Sequence, residues 1–145
     1  MVVGLRSGLQ GKGLVMNEHE LRASTKSFAI RVMKLVDSIP NSRSGRVIAG
    51  QLARSGTSVA ANYRAACRGR SKRDFVSKLG IVEEESDESA LWMELLIEGG
   101  LMKPHRVRDL HDEAQQLTAI MASSRITASR AIRSIANRKS KIANP

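Results

Sequence analysis

Hydrophobic residues recur every three or four positions along four long stretches of the chain. This spacing places the apolar side chains on one face of an α-helix, so it predicts helices rather than strands. The four stretches cover about residues 17–37, 44–69, 71–98 and 103–135. No segment shows the alternating pattern of a strand, and the chain has no internal repeat.

Local signals mark where these helices begin and end. Asn17 precedes the first stretch, where it can cap the helix. Ser71 can cap the third helix, with Asp74 three residues later as a short-armed variant of the capping box. Gly69 falls in the C-cap position of the second helix, and "EGGLMKP" closes the third helix through its two glycines.

Four helices of roughly 20 to 30 residues with short joints predict an all-α, up-down-up-down four-helix bundle. The bundle should span residues 17–124 as a single domain. Residues 1–16 are glycine-rich and aperiodic, which predicts a disordered N-terminal segment. Residues 125–145 form a basic C-terminal extension that we expect to be helical to Ile132 or Ile135 and disordered after that.

The second helix has small residues where a core stripe normally has large ones. They let another helix approach closely, either inside one bundle or at a contact between subunits. Asn62 lies on the apolar stripe, so we expect it to be buried, hydrogen-bonded and able to fix the register. The small residues are Ser55, Gly56, Ser58, Ala60, Ala61, Ala65 and Ala66.

The net charge of +10 is concentrated near the C-terminus. Residues 103–145 contain nine basic and three acidic side chains, which gives +6 in that segment alone. This asymmetry favours a polyanionic partner, nucleic acid ahead of a membrane surface. The alternative is that the charge serves only solubility. The single cysteine, Cys67, and the lack of an 18-residue apolar run fit a cytoplasmic protein without a membrane span.

The basic residues fall into two groups that are able to contact phosphates without reading bases. One group surrounds the joint between the second and third helices, and the other lies on the C-terminal extension. The alternative for any single residue is a solvated helix end with cations near the helix dipole. The predicted nucleic-acid-binding residues are Arg64, Arg68, Arg70, Lys72, Arg73, Arg125, Arg130, Arg133 and Arg138.

The acidic run "EEESDE" places Glu85 and Glu88 one turn apart on the third helix. A di-metal bundle site needs Glu-x-x-His on two helices, and none of the three histidines has that spacing. The carboxylates therefore favour an ion pair with Arg54 or Lys78. We predict no metal, no cofactor and no catalytic residue. The predicted structural and polar-core residues are Arg54, Ser55, Asn62, Lys78, Glu85, Glu88 and Trp92.

The middle of the chain resembles a known family through three consecutive motifs, "LxRSxxSVxANYxxA", "SxxDFxxKLxIxxxE" and "ESxxWxxLL". They are similar to those of the four-helix bundle proteins encoded in intervening sequences of bacterial 23S ribosomal RNA genes. Those proteins are related to the accessory variability proteins of diversity-generating retroelements. The chain departs from the family pattern at Ala65, where a glutamate is usual, and at Ser86, where an alanine is usual.

The resemblance implies a non-enzymatic bundle that assembles into a ring, commonly a homopentamer, with a basic surface for RNA or DNA. Together with the charge, it predicts a cytoplasmic homo-oligomer that binds nucleic acid with little sequence preference. The alternative function is a structural scaffold or adaptor that docks a protein partner such as a reverse transcriptase. No membrane partner is expected.

Overall fold

The structure, a computed structural model, describes residues 16–144. The segment predicted to be disordered lies outside the described residues except for Met16, which is half-buried and packs against the core. The chain forms an all-α four-helix fold, as predicted. The helices are α1 (Glu18–Asp37), α2 (Arg43–Cys67), α3 (Lys72–Glu98) and α4 (Pro104–Ala143).

The helix ends largely follow the local sequence signals. The Asn17 side chain accepts a hydrogen bond from the Glu20 backbone N–H at 2.8 Å, and Ser71 Oγ accepts from the Asp74 N–H at 3.1 Å. Gly100 has a φ of 71°, a left-handed conformation in which glycine has no side chain to clash. The C-cap of α2 is Arg68 rather than Gly69, so the predicted position is wrong by one residue.

Consecutive helices pack side by side. The first and last helices, α1 and α4, also pack against each other, and their contact is the smallest of the helix–helix contacts. The core contains large side chains from all four helices, with the residue at the centre of each stripe almost completely excluded from solvent. Burying side chains of this size contributes about 1.5 to 3 kcal/mol each. Among the most buried are Phe28, Leu52, Leu79, Met93 and Leu117.

The small residues of α2 allow close packing inside the bundle. A β-carbon at Gly56 would lie 2.6 Å from Cγ1 of Val32 on α1, so the Val32 side chain packs directly against the α2 backbone at this point. On the other side of α2, Ser89 Oγ donates to Ser55 Oγ at 2.9 Å, deep between α2 and α3. Two other small residues, Ala60 and Ala61, lie toward the outside of the bundle.

Asn62 is half-buried rather than buried, which corrects the prediction for this residue. The next residue, Tyr63, takes the inward position and is only 3% exposed. Asn62 is hydrogen-bonded as expected, but its partner is local, because Nδ2 donates to the Ser58 carbonyl one turn earlier at 2.9 Å. A bond within one helix does not fix the register between helices.

Helix α4 extends beyond its predicted end at Ile132 or Ile135 and continues to Ala143, giving a helix of 40 residues. The sequence explains this length, since no glycine or proline interrupts the chain between Pro104 and Pro145. Alanine, arginine and lysine, which are good helix formers, are frequent near its end. Every residue from 133 to 143 is exposed, and we call this segment the overhang.

Candidate nucleic-acid interface

The two predicted basic groups meet at one end of the bundle because α3 and α4 are antiparallel. His111 Nε2 lies 2.9 Å from Glu94 Oε2, and Arg125 Nε donates to Glu83 Oε2 at 2.7 Å. Both helices advance about 1.5 Å per residue, so this register places the start of α3 level with about residues 133–136 of α4. The α2–α3 joint and the overhang therefore occupy the same end of the molecule.

The joint cluster consists of Arg68, Arg70, Lys72 and Arg73, and all four side chains are exposed. Among residues 16–144, none of them is within ion-pair distance of a carboxylate. The nearby Asp74 accepts from Lys78 Nζ at 2.8 Å and from the Arg70 backbone N–H at 3.2 Å. These contacts, with the Lys78 bond the larger cause, lower the pKa of Asp74. The joint cluster therefore keeps its charge available for phosphate.

The end of α4 carries the second basic group, which forms a shallow groove of about 410 Å³ along one side of the helix. Arg138 Nη2 lies 3.4 Å from Ser134 Oγ, and no carboxylate lines the groove. The four cations of the groove are three, five and three residues apart, which keeps them within about half of the helix circumference, where they can follow a row of phosphates. The groove is lined by Arg130, Arg133, Ser134, Asn137, Arg138 and Lys141.

Arg125 has a different environment from the other predicted binding residues. Its guanidinium pairs with Glu83, and this hydrogen bond is the main cause that raises the pKa of Arg125. The pair fastens α4 to α3 just before the groove lined by the α4 cations begins. The structure therefore gives Arg125 a positioning contact inside the bundle rather than a cation free for phosphate.

Arg64 lies about one helical turn before Arg68 of the joint cluster, and it lines an open groove of about 880 Å³ between α1 and α2. We call it the basic groove, because its lining includes the cations Arg22, Lys26 and Lys34 of α1 and no carboxylate. Its floor is formed by small and apolar residues, among them Ile30 and the two outward alanines of α2. These α1 cations were not predicted as site residues, although their spacing of four and eight residues already places them on one helix face.

The predicted ion pair on α3 is present, and its cation is Arg54. Arg54 Nη1 lies 3.2 Å from Glu85 Oε2, and Arg54 Nη2 donates to Glu88 Oε1. Trp92 Nε1 also donates to that Glu88 oxygen, at 3.2 Å. The Arg54 hydrogen bond is the first cause that lowers the pKa of Glu88. Lys78, the alternative partner, pairs with Asp74 instead.

A second ion pair was not predicted. Glu113 of α4 is completely buried, and its Oε1 accepts from Arg31 Nη1 of α1 across the small contact between these two helices. The signal in the sequence is the position of Glu113, three residues after Leu110 on the apolar stripe of α4. A buried carboxylate needs a charged or hydrogen-bonding partner, so the Arg31 contact holds α1 against α4.

No group of three or more His, Cys, Asp or Glu side chains in residues 16–144 is placed to hold a metal ion. Burial, followed by the nearby Glu18, raises the pKa of the Cys67 thiol, which disfavours the reactive thiolate. No helix in the same range is long and apolar enough to cross a membrane.

Comparison with known proteins identifies the family. Residues 17–123 match the family model of the 23S rRNA-intervening sequence protein. The chain belongs to that family. The match ends inside α4, so the joint cluster lies within the part shared with the intervening-sequence proteins. The overhang and the cations that line the α4 groove lie beyond it.

A solved structure supports the assignment. It is the crystal structure of a protein of unknown function from the S23 ribosomal protein family of Bacteroides thetaiotaomicron. The two chains are 28% identical with a TM-score of 0.70, and the alignment covers 76% of this chain and 98% of the other. No curated protein matches the sequence.

Proposed function

We propose that this intervening-sequence protein is a cytoplasmic, non-enzymatic homo-oligomer that binds RNA or DNA through phosphate contacts, with little sequence preference. One observation carries the nucleic-acid part of the proposal. The joint cluster and the cations at the end of α4 converge at one end of the bundle, and neither group is neutralised by carboxylates among residues 16–144. A polyanion is the partner that such a surface attracts.

The binding strength of this surface should depend on salt. Each phosphate that a cation neutralises releases condensed counterions, so the logarithm of the affinity falls with the logarithm of salt concentration by about 0.9 per contact on duplex DNA. The surface offers nine cations, of which only a part can face one duplex at once. They are Arg68, Arg70, Lys72, Arg73, Arg130, Arg133, Arg138, Lys139 and Lys141.

The placement of the aromatic residues supports backbone contacts over base stacking. The chain has only four aromatic side chains. Phe28 and Tyr63 are buried, whereas Phe75 and Trp92 are partly buried and pack against the core. None of these rings lies in the basic groups, so unpaired bases find no aromatic stacking platform there. Contacts to phosphates fix position but carry no sequence information, which accounts for the low specificity of the proposed binding.

Charge reversal tests the nucleic-acid part. One variant replaces Arg70, Lys72 and Arg73 by Glu, and a second replaces Arg133, Arg138 and Lys141 by Glu. Each should weaken binding to a 20-base-pair duplex and lower the salt slope by up to about three. The measurement is fluorescence anisotropy with fluorescent RNA and DNA duplexes between 50 and 200 mM salt, a range over which phosphate-dominated binding changes steeply.

A matched control changes the same amount of charge at the opposite end of the bundle. It replaces Arg43, Lys103 and Arg106, all exposed, by Glu, and it should bind the duplexes nearly as well as the unaltered protein. Loss of binding in the control to the same degree, or no binding by the unaltered protein at low salt, contradicts the proposal.

The oligomeric part rests on the family resemblance, which implies a ring that is commonly a pentamer, and light scattering of the full chain measures it. The alternative is the scaffold that docks a protein partner, such as the reverse transcriptase of a diversity-generating retroelement. In that case the two charge reversals leave duplex affinity unchanged and abolish co-purification of the partner.

A further inference from the structure

The outward side of α3 combines exposed leucines with carboxylates that have no cation beside them. Leu91 is 48% exposed and Leu95 is 39% exposed. They lie on the same helix face as Glu84, Asp87 and Glu98, because these positions are separated by three or four residues. None of these three carboxylates forms an ion pair within residues 16–144. We call this surface the acidic face.

The basic groove has the opposite charge and a similar apolar centre. Ile30 is 46% exposed between Lys26 and Lys34, and Met33 beside it is 52% exposed. Ala60 and Ala61 of α2 line the groove and leave room for an incoming helix. Arg22, Lys26 and Lys34 form no ion pair among the described residues.

The two surfaces cannot meet within one chain. The backbones of α1 and α3 do not come close to each other, since each of these helices is a neighbour of α2 and α4 in the bundle. Their outward sides therefore point in different directions. Each surface has an apolar centre surrounded by charges of one sign, negative on the acidic face and positive around the basic groove. Two such surfaces together have the layout of a protein–protein interface with a polar rim.

We propose that the acidic face of one copy docks into the basic groove of the next copy. The contact is head-to-tail, because each copy uses two different surfaces, and contacts of this type close into a ring or continue as a filament. Leu91 and Leu95 enter between the α1 cations over the small residues of α2, and the carboxylates of α3 pair with the cations at the rim. This inference rests on the homo-oligomer of the proposed function and assigns the surfaces that build it.

Two complementary charge reversals test this contact. The first variant, Lys26→Glu with Lys34→Glu, makes the groove acidic. The second, Asp87→Lys with Glu98→Lys, makes the α3 face basic at both ends of the leucine pair. Each variant alone brings like charges together and should associate with itself at least tenfold more weakly than the unaltered protein. Light scattering over a concentration series measures the mass, and circular dichroism confirms that each variant remains helical.

Mixing the two variants gives the decisive result. In an equimolar mixture, the acidic groove of the first variant can pair with the basic α3 face of the second. The unchanged acidic face of the first variant can also pair with the unchanged basic groove of the second. The mixture should therefore recover association between the two variants, in complexes with an even number of alternating subunits, that neither variant shows alone. A control with Arg43→Glu and Arg106→Glu, which changes charge by the same amount at residues that belong to neither surface, should assemble like the unaltered protein.

Three outcomes overturn the inference. They are a monomeric unaltered protein at all concentrations, variants that stay assembled, and a mixture that does not reassemble. If the groove variant loses duplex binding without a change in mass, the groove is a nucleic-acid surface and not a docking site for a second copy. If the variants complement each other but the unaltered protein binds no duplex, the nucleic-acid part of the proposed function fails and the docking mode stands.

Discussion

The two ends of α4 belong to one unbroken helix but have opposite environments. Its first half places Val107, Leu110, Leu117 and Met121 in the core, all at most 4% exposed. The overhang has the same backbone conformation, and every one of its side chains is exposed. Helical structure in this chain therefore follows local propensity, whereas burial depends on which helix lies alongside.

This contrast separates two tasks along one helix. The first half of α4 stabilises the bundle, and the end of α4 presents cations outside it. Substitutions in the first half should change the free energy of unfolding, and substitutions in the overhang should change binding to polyanions.

The largest effect is expected in the packed half. Leu117→Ala should lower the free energy of unfolding by about 2 to 5 kcal/mol, because it removes fully buried methyl groups and leaves a cavity. Ile135→Ala in the overhang should change it by at most about 0.5 kcal/mol, since Ile135 is already 39% exposed. Urea denaturation measures both, and equal effects contradict the division of α4 into two regions.

A second test compares a packed and an open glycine of α2. Gly56→Ala should cost about 1 to 3 kcal/mol, because its new β-carbon would meet Val32 at 2.6 Å. Gly50→Ala should instead stabilise the protein by about 0.4 to 1 kcal/mol, since nothing lies within 4 Å of that position and alanine favours helix. Thermal unfolding distinguishes the two variants, since Tm should fall in Gly56→Ala and rise in Gly50→Ala.

The Arg54–Glu88 pair predicts a pH dependence of smaller size. Arg54 holds the pKa of Glu88 below its ordinary value of 4.5 in the folded state, so the pair contributes stability above that value. The contribution disappears as the pH falls through the lowered folded-state pKa. In Arg54→Gln the loss of stability should therefore be greatest near neutral pH and shrink in strong acid, as urea denaturation between pH 7 and pH 2 measures. Arg43→Gln, a control without a carboxylate partner among residues 16–144, should show no such convergence.

The smallest effect on stability is expected from removing the overhang. A chain that ends after Ile132 should unfold within about 0.5 kcal/mol of the full chain, because the lost residues are exposed. It also loses Arg133, Arg138, Lys139 and Lys141, so the salt slope of duplex binding should fall by up to about four. A truncated chain with the full salt slope contradicts the role given to the overhang.

The sequence was sufficient to predict the four helices and several caps because these depend on residues three or four positions apart. Asn17 and Ser71 accept the expected hydrogen bonds. The pairs Arg31–Glu113 and Glu83–Arg125 join residues 82 and 42 positions apart, and they depend on the register between helices. Periodicity in a single sequence leaves that register open, so neither pair was predicted.

The same reason limits what the sequence predicts about the surroundings of the candidate site. The distribution of Lys and Arg along the sequence predicted the joint cluster and the end of α4 as binding residues. The antiparallel packing of α3 and α4 brings these two groups together. The same distribution also predicted Arg125 as a binding residue. The number of cations in a segment does not show which of them pairs with a carboxylate, as Arg125 does with Glu83. The cations of α1 were missed because their segment carries acids at its ends, so its net charge conceals a basic stripe in the middle.

The continuity of α4 has a consequence for the entropy of binding. A separate peptide of the overhang's length would rarely be helical in water, since starting a helix is unfavourable. Here the first turns are already formed by the packed half of α4, and the overhang only prolongs them. Ordering a flexible backbone costs about 1 to 2 kcal/mol per residue, a cost that largely falls on folding rather than on binding. The cations of the overhang are thus held in register along a preformed rod before a polyanion arrives.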